Sequence, residues 1–177
     1  MTPMTYKRLA AIALLAVTLP AMASQSLRAG DTFTVVVTTF KDGDSFAVTT
    51  LDQQRLEVRL WGIDAPEGRQ SCADQRGAAY ACGRDAGQYK RRLTEGKNLT
   101  CTVVTPADAY KRIIARCTVD GSDLGETLVR AGHAVDWPRY SRGHYDRAQS
   151  EARQAKRGVW QGTFQSPWDY RSAQRGK

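Results

Sequence analysis

Along residues 55–60 (RLEVRL), Leu56, Val58 and Leu60 alternate with Arg55, Glu57 and Arg59, the period of two of a half-buried strand. Upstream, Thr32–Phe40 (TFTVVVTTF) is β-branched and aromatic, and Ser45–Leu51 alternates again. The turns Lys41-Asp42-Gly43-Asp44 and Asp52-Gln53-Gln54 join these three runs into a meander. Asn98–Thr105 and Arg112–Asp120 are also strand-like, with the turn-rich PADAYK between them. Three stretches have a helical pattern. Arg84–Glu95 places Tyr89 and Leu93 four apart and stops at Gly96, and Leu124–Ala131 stops at Gly132. From Tyr145 to Lys156, the residues Tyr145, Ala148, Ala152 and Ala155, continued by Val159, form one apolar face. Residues 68–83 form a long polar, Gly/Ala-rich loop, and Trp160, Phe164 and Trp168 are expected to pack onto the domain. The pattern predicts a mainly β fold with α: a five-stranded Greek-key barrel of the OB type with three helices, one of them between the third and fourth strands.

The N-terminus changes the domain picture. Lys7 and Arg8 precede an apolar run from Leu9 to Leu19, and Ala21-Met22-Ala23 follows as a small-residue cleavage site. This is the layout of a secretory signal peptide over residues 1–23, and the run falls short of the roughly 20 residues a spanning helix needs. The expected organisation is a signal, one domain over 24–170 and a short tail at 171–177, secreted or periplasmic, with no membrane span once the signal is gone. The whole chain carries a net charge of +8, two of which lie in the signal. A basic exported protein favours polyanions. Four cysteines, Cys72, Cys82, Cys101 and Cys117, suit disulfides in an oxidising compartment, and their spacing resembles no zinc site. Four cysteines allow three pairings. Cys72–Cys82 and Cys101–Cys117 are expected because each closes a short local span, the second across two successive strands.

Charged groups then gather at strand ends, where a barrel has no structural need of them: Asp42 and Asp44 in KDGDS, Arg59, Asp64 and Glu67 in RLWGIDAPE, and Asp108, Tyr110 and Arg112 in DAYKR. Each segment alone has an ordinary reading as a turn or a surface charge. Together, DGDS, VRLWGIDAPE, DAYKR and GETLVRAGHA, in that order, resemble the staphylococcal nuclease (thermonuclease) family over most of residues 33–160. The Arg-(x4)-Asp-x-Pro-Glu spacing is the most specific element.

The resemblance implies Ca²⁺-dependent hydrolysis of phosphodiester bonds in DNA and RNA, leaving 3′-phosphates. Carried over by position, Asp44 and Asp64 are the carboxylate ligands of Ca²⁺, and Ala65 offers its backbone carbonyl. Glu67 positions or deprotonates the attacking water, Arg59 and Arg112 hold the reacting phosphate, and Tyr110 and Tyr140 contact the nucleotide. A hard cation with about 6–8 oxygen ligands suits this donor set, and guanidinium groups suit the equatorial oxygens of a phosphodiester transition state. The protein is expected to act as a monomer, without a stable protein partner. Ser45 stands where the family often has Thr, Ala109 where it has a Lys, and Lys111 where a Gly often precedes the second arginine. Two other readings compete: a non-catalytic nucleic-acid-binding OB module, and a basic exported protein that binds envelope polyanions.

Overall fold

The computed structural model describes residues 27–49 and 55–176. The signal segment, the end of the second strand at Thr50 and Leu51, and the turn at 52–54 lie outside the described residues. Among the described residues, five strands build the barrel, β1 (Thr32–Phe40), β2 (Ser45–Thr49), β3 (Arg55–Leu60), β4 (Asn98–Thr105) and β5 (Ile113–Val119), and the two-residue strand Ser122–Asp123 extends the sheet beyond β5. The first three form the expected antiparallel meander, β4 adds to the far edge of β1, and β5 pairs antiparallel with β4. The sheet closes where β5 runs parallel to β3, with Val58 opposite Ile113, Arg59 opposite Ile114 and Leu60 opposite Ala115. The result is the closed five-stranded barrel of the OB type that the pattern predicts.

Alternation along the strands decides what fills it. Val35, Val37, Phe46, Val48, Val58, Leu60, Leu99, Val103, Ala115 and Val119 point inward and are buried. The outward residues of β4 and β5, including Thr100, Thr102, Arg116 and Thr118, are exposed. Cys101 and Cys117 face each other across β4 and β5 and are disulfide-bonded; Cys72 and Cys82 form the second bridge. Both expected pairings are therefore present. Each short closed span contributes about 2–4 kcal/mol, in good part through the unfolded chain.

Helix α1 (Cys82–Thr94) follows the disulfide loop and packs Ala86, Tyr89 and Leu93 onto the barrel. Helix α2 (Leu124–Arg130) starts at Asp123, whose carboxylate accepts from the Glu126 amide, and buries Leu124, Leu128 and Val129. Helix α3 (Asp146–Gln154) buries Ala148 and Ala152. Ala155, expected on that face, is exposed, because the helix has already ended at Gln154.

A further helix, α4 (Pro167–Arg175), exceeds the expected three. Its signal is present in the sequence: Ser166 caps the Asp169 amide and Pro167 occupies the first turn. The helix runs through residue 170, where the domain is expected to end. Trp160, Phe164 and Trp168 do pack down, on a second small cluster around Cys72, Cys82, Val135 and Val159.

Candidate active site

The barrel brings the first carboxylate into place through the loop between β1 and β2. Asp42 Oδ1 accepts from the amides of Asp44 (3.3 Å) and Ser45 (2.8 Å), which folds the loop on itself. Gly43 allows a close approach: a Cβ there would lie 2.5 Å from the Ala65 side chain and 3.0 Å from that of Ala86. From α1, the fully buried Lys90 ammonium donates to the carbonyls of Asp42 and Ser45 and lies 5.3 Å from the Phe46 ring centroid. The β2–β3 register sets Ser45 opposite Arg59, so the arginine rises beside Asp44. Beyond β3, Gly62 takes a positive φ of 72° and redirects the chain. Ile63 and Asp64 then pair with Asp136 and Val135, which fixes the second carboxylate.

One guanidinium bridges both carboxylates. Arg59 donates Nη1 to Asp44 Oδ1 and Nη2 to Asp64 Oδ1, each at 2.7 Å. The Asp44 and Asp64 side chains are 3% and 0% exposed, and that of Arg59 is 11% exposed. Asp44 also accepts from the Ser45 hydroxyl (2.9 Å) and the Ala65 amide (2.9 Å). Burial pushes the Asp44 carboxyl up, but Arg59, the Ala65 amide, the Ser45 hydroxyl and Lys90 outweigh it and hold the group below the ordinary carboxylate range. Burial and the neighbouring charge of Asp44 raise Asp42, to about 6. Burial depresses the Lys90 ammonium to about 8, although Asp42 and Asp44 oppose that shift.

A residue that the motifs do not mark completes the cluster. Arg171, on α4, donates Nη1 to Asp64 Oδ1 (2.9 Å) and to Glu67 Oε1 (2.7 Å), and Nη2 to Asp64 Oδ2 (2.7 Å). Asp64 thus lies between two guanidinium groups, and the Glu67 carboxylate meets the second. Trp137 flanks both, its ring centroid 5.7 Å from Arg59 Cζ and 5.4 Å from that of Arg171. It also stacks on Trp168 of α4 at 5.8 Å and 15°.

The other expected site residues lie farther out. Arg112 donates Nε (2.9 Å) and Nη2 (2.7 Å) to Asp108 Oδ2, not to the carboxylate cluster, and sits one residue before the parallel seam with β3. Tyr110 is 66% exposed, with Arg112 over its ring and its hydroxyl accepting from Arg175 of α4 at 3.2 Å. Tyr140 is 49% exposed and meets the Trp137 ring edge-on, so a tryptophan separates it from the two arginines. Asp44, Arg59, Asp64, Ala65 and Glu67 form one cluster; Tyr110 and Arg112 flank it, and Tyr140 borders it.

The donor set at this cluster is entirely oxygen. Two carboxylates close enough for one guanidinium to bridge them fit a hard divalent cation and offer nothing to a soft one. Among the described residues, no group of three or more His, Cys, Asp or Glu forms a metal site on side chains alone. Backbone carbonyls and water would have to complete the shell.

Comparison with known proteins agrees with this geometry. The model of the staphylococcal nuclease homologue family matches residues 57–162, and that family is generally metal-dependent. The succinoglycan biosynthesis protein ExoI of Rhizobium meliloti is 32% identical over 120 residues, covering 67% of this chain and 60% of that protein. An uncharacterized endonuclease of Escherichia coli is 32% identical over 133 residues, 73% of this chain and 79% of its own. The probable endonuclease LCL3 of Candida dubliniensis is 27% identical over 121 residues, 62% of this chain and 49% of its own. This chain therefore spans from about half to about four-fifths of the length of these relatives. The barrel, the carboxylate–arginine cluster at its strand exits and the matched residues together place the chain in the staphylococcal nuclease family.

Proposed function

We propose that the protein is an exported, calcium-dependent nuclease that hydrolyses phosphodiester bonds of DNA and RNA to 3′-phosphate products and acts as a monomer. The observation that carries this reading is the Arg59 guanidinium held between buried Asp44 and Asp64, with Glu67 three residues beyond Asp64 at the rim. Burying two carboxylates and an arginine is costly, and packing alone gives no reason for it.

Asp44, Asp64 and the Ala65 carbonyl would hold the cation. When bound, it neutralises phosphate charge and helps to orient the attacking water. Glu67 takes a proton from that water onto a carboxylate oxygen as the water oxygen bonds to phosphorus. The bond from phosphorus to the 5′ oxygen breaks, that oxygen takes up a proton from solvent water, Glu67 later returns its proton to solvent, and the phosphate stays on the 3′ side. Arg59 and Arg112 supply fixed positive charge to the non-bridging oxygens and cannot lose it at neutral pH. Tyr110 and Tyr140 offer rings to the neighbouring nucleosides.

Two disulfides and the N-terminal signal layout support an oxidising compartment outside the cytosol, with a mature domain starting near residue 24. Among the described residues, no helix is long and apolar enough to cross a membrane.

The test is incubation of the purified protein with plasmid DNA and with RNA, in Ca²⁺, Zn²⁺ or chelator. Cleavage is expected in Ca²⁺, with loss in chelator and little rescue by Zn²⁺. Glu67→Gln is expected to lose at least about 10² in kcat while keeping its fold, the scale of a general base. Wild-type rates in the folded variant would remove Glu67 from the mechanism, and full activity in chelator would remove the cation.

A further inference from the structure

Helix α4 enters the site as a basic strap. Arg171 and Arg175 are four residues apart and therefore share a helix face. Arg171 takes both oxygens of Asp64 and one of Glu67, and Arg175 reaches the Tyr110 hydroxyl. The helix spans the ground between the carboxylates proposed to hold the cation and a ring proposed to meet the nucleotide. Its own anchorage is slight. Pro167 is its single buried residue, Trp168 is half-buried against Trp137, and residues 172–176 are exposed. The distal half of α4 is held by those two arginine contacts and little apolar surface, which marks it as a segment that opens at low cost.

Two considerations set Arg171 against a divalent cation. The first is geometric: Arg171 bonds both oxygens of Asp64 and Arg59 shares one of them, so three N–H donors crowd that carboxylate, and a cation that takes both of its oxygens must displace one of them. Arg59 is braced on a barrel strand and also bonded to Asp44, whereas Arg171 is carried by the loosely seated helix. The second is charge. Asp44, Asp64 and Glu67 carry three negative charges against the two positive charges of Arg59 and Arg171. A divalent cation added to that set leaves a surplus of positive charge in a largely buried cluster. The same cation in place of Arg171 leaves the cluster neutral.

Resting on the calcium-dependent reading above, we propose that Arg171 is an internal counter-ion of the site. It occupies Asp64 and Glu67 until a divalent cation binds, so that cation binding and docking of the C-terminal helix exclude one another. Arg171 thereby lowers cation affinity and keeps the site covered when the cation is scarce.

The experiment measures Ca²⁺ binding by calorimetry, without nucleic acid, on the wild type, Arg171→Ala and Arg171→Gln. Near-ultraviolet circular dichroism confirms that each is folded. Amide hydrogen exchange across Trp168–Arg175 is followed with and without Ca²⁺. Both variants are expected to bind Ca²⁺ at least about tenfold tighter, the scale of removing one charge-assisted bidentate competitor. In the wild type, Ca²⁺ is expected to speed exchange in α4; in the variants, exchange is fast throughout. The helix readout excludes a simple charge effect, which would tighten binding without releasing α4. Ca²⁺ binding with α4 exchange unchanged or slowed, or weaker binding in both variants, overturns the counter-ion role and leaves the calcium reading standing. If no form binds Ca²⁺, both fall.

Discussion

Asp64 is held by two arginines that come from different kinds of scaffold. Arg59 stands on β3, a strand paired with β2 on one side and β5 on the other, and its guanidinium joins two buried carboxylates. Arg171 stands on a short C-terminal helix with one buried residue, and its side chain is 26% exposed. The pair distances to Asp64 are the same, 2.7 Å. What differs is what must move to break each pair. Removing Arg59 leaves Asp44 and Asp64, both buried at the strand exits, without the guanidinium they share. Removing Arg171 leaves Asp64 still paired with Arg59. Equal contact distances therefore do not imply equal energetic weight; the surroundings decide it.

The sharpest way to break this comparison is to delete each arginine in turn. Arg59→Ala is expected to lower activity by at least about 10² and stability by about 3–5 kcal/mol, because it strips the shared partner from two buried charges. The burial of Asp44 and Asp64 sets the size of that loss. Arg171→Ala is expected to cost no more than about 1 kcal/mol. Chemical denaturation of the two variants at pH 7 measures both. Similar losses would show that the helix is as integral to the site as the strand.

The same contrast explains what could be read from the chain. Arg59, Asp64 and Glu67 lie within nine residues, so a strand and its exit fix their relation locally, and a motif can carry it. Asp44 is one short turn and one strand pairing away, which the meander makes legible. Arg171 lies 107 residues from Asp64, and no periodicity says where a terminal helix docks. Ser166 and Pro167 mark the start of its helix, which is not among the three expected. Lys90 was hidden differently. It lies four residues after Ala86 on the buried face of α1, where a lysine in sequence reads as a solvated charge, and two carbonyls with nearby carboxylates make its burial possible. Tyr140 lies at the edge of the cluster, with Trp137 between, an arrangement set by the single helical turn at Pro138–Ser141.

Lys90 offers a second test, on the barrel side of the comparison. Burial lowers its pKa from 10.5 to about 8, against the pull of Asp42 and Asp44. Between those pH values the unfolded chain holds a proton that the native protein has released. Stability therefore rises with pH across that window and, below about pH 8, carries the full cost of a buried ammonium. Relative to Lys90→Met, the wild type is expected to gain up to about 3 kcal/mol from pH 8 to 10.5. Parallel denaturant titrations of the two proteins read the difference. A flat difference would mean that Lys90 stays charged in the fold and that its carbonyl partners compensate the burial.

The smallest expected effect lies on the outer side of the site, in the turn that carries Arg112. Lys111, at a position where the family often has Gly, adopts a left-handed φ of 61°. An L side chain there costs about 1–2 kcal/mol, which glycine avoids. The turn is held by backbone and carboxylate contacts: the Lys111 amide donates to the Asp108 carbonyl at 2.9 Å, and Asp108 Oδ1 accepts from the amides of Tyr110 and Arg112. None of these bonds needs the Lys111 side chain, which is exposed. Lys111→Gly should therefore keep the turn and the Arg112–Asp108 pair. Relief of the left-handed residue is partly offset by the greater freedom of glycine in the unfolded chain, so the net gain is expected to reach about 1 kcal/mol at most, read as a small rise in Tm. Cleavage rates should stay within about twofold, since a 1 kcal/mol change in a turn that holds its geometry leaves the site in place. A fall in Tm would show that the lysine stabilises this turn through contacts of its own.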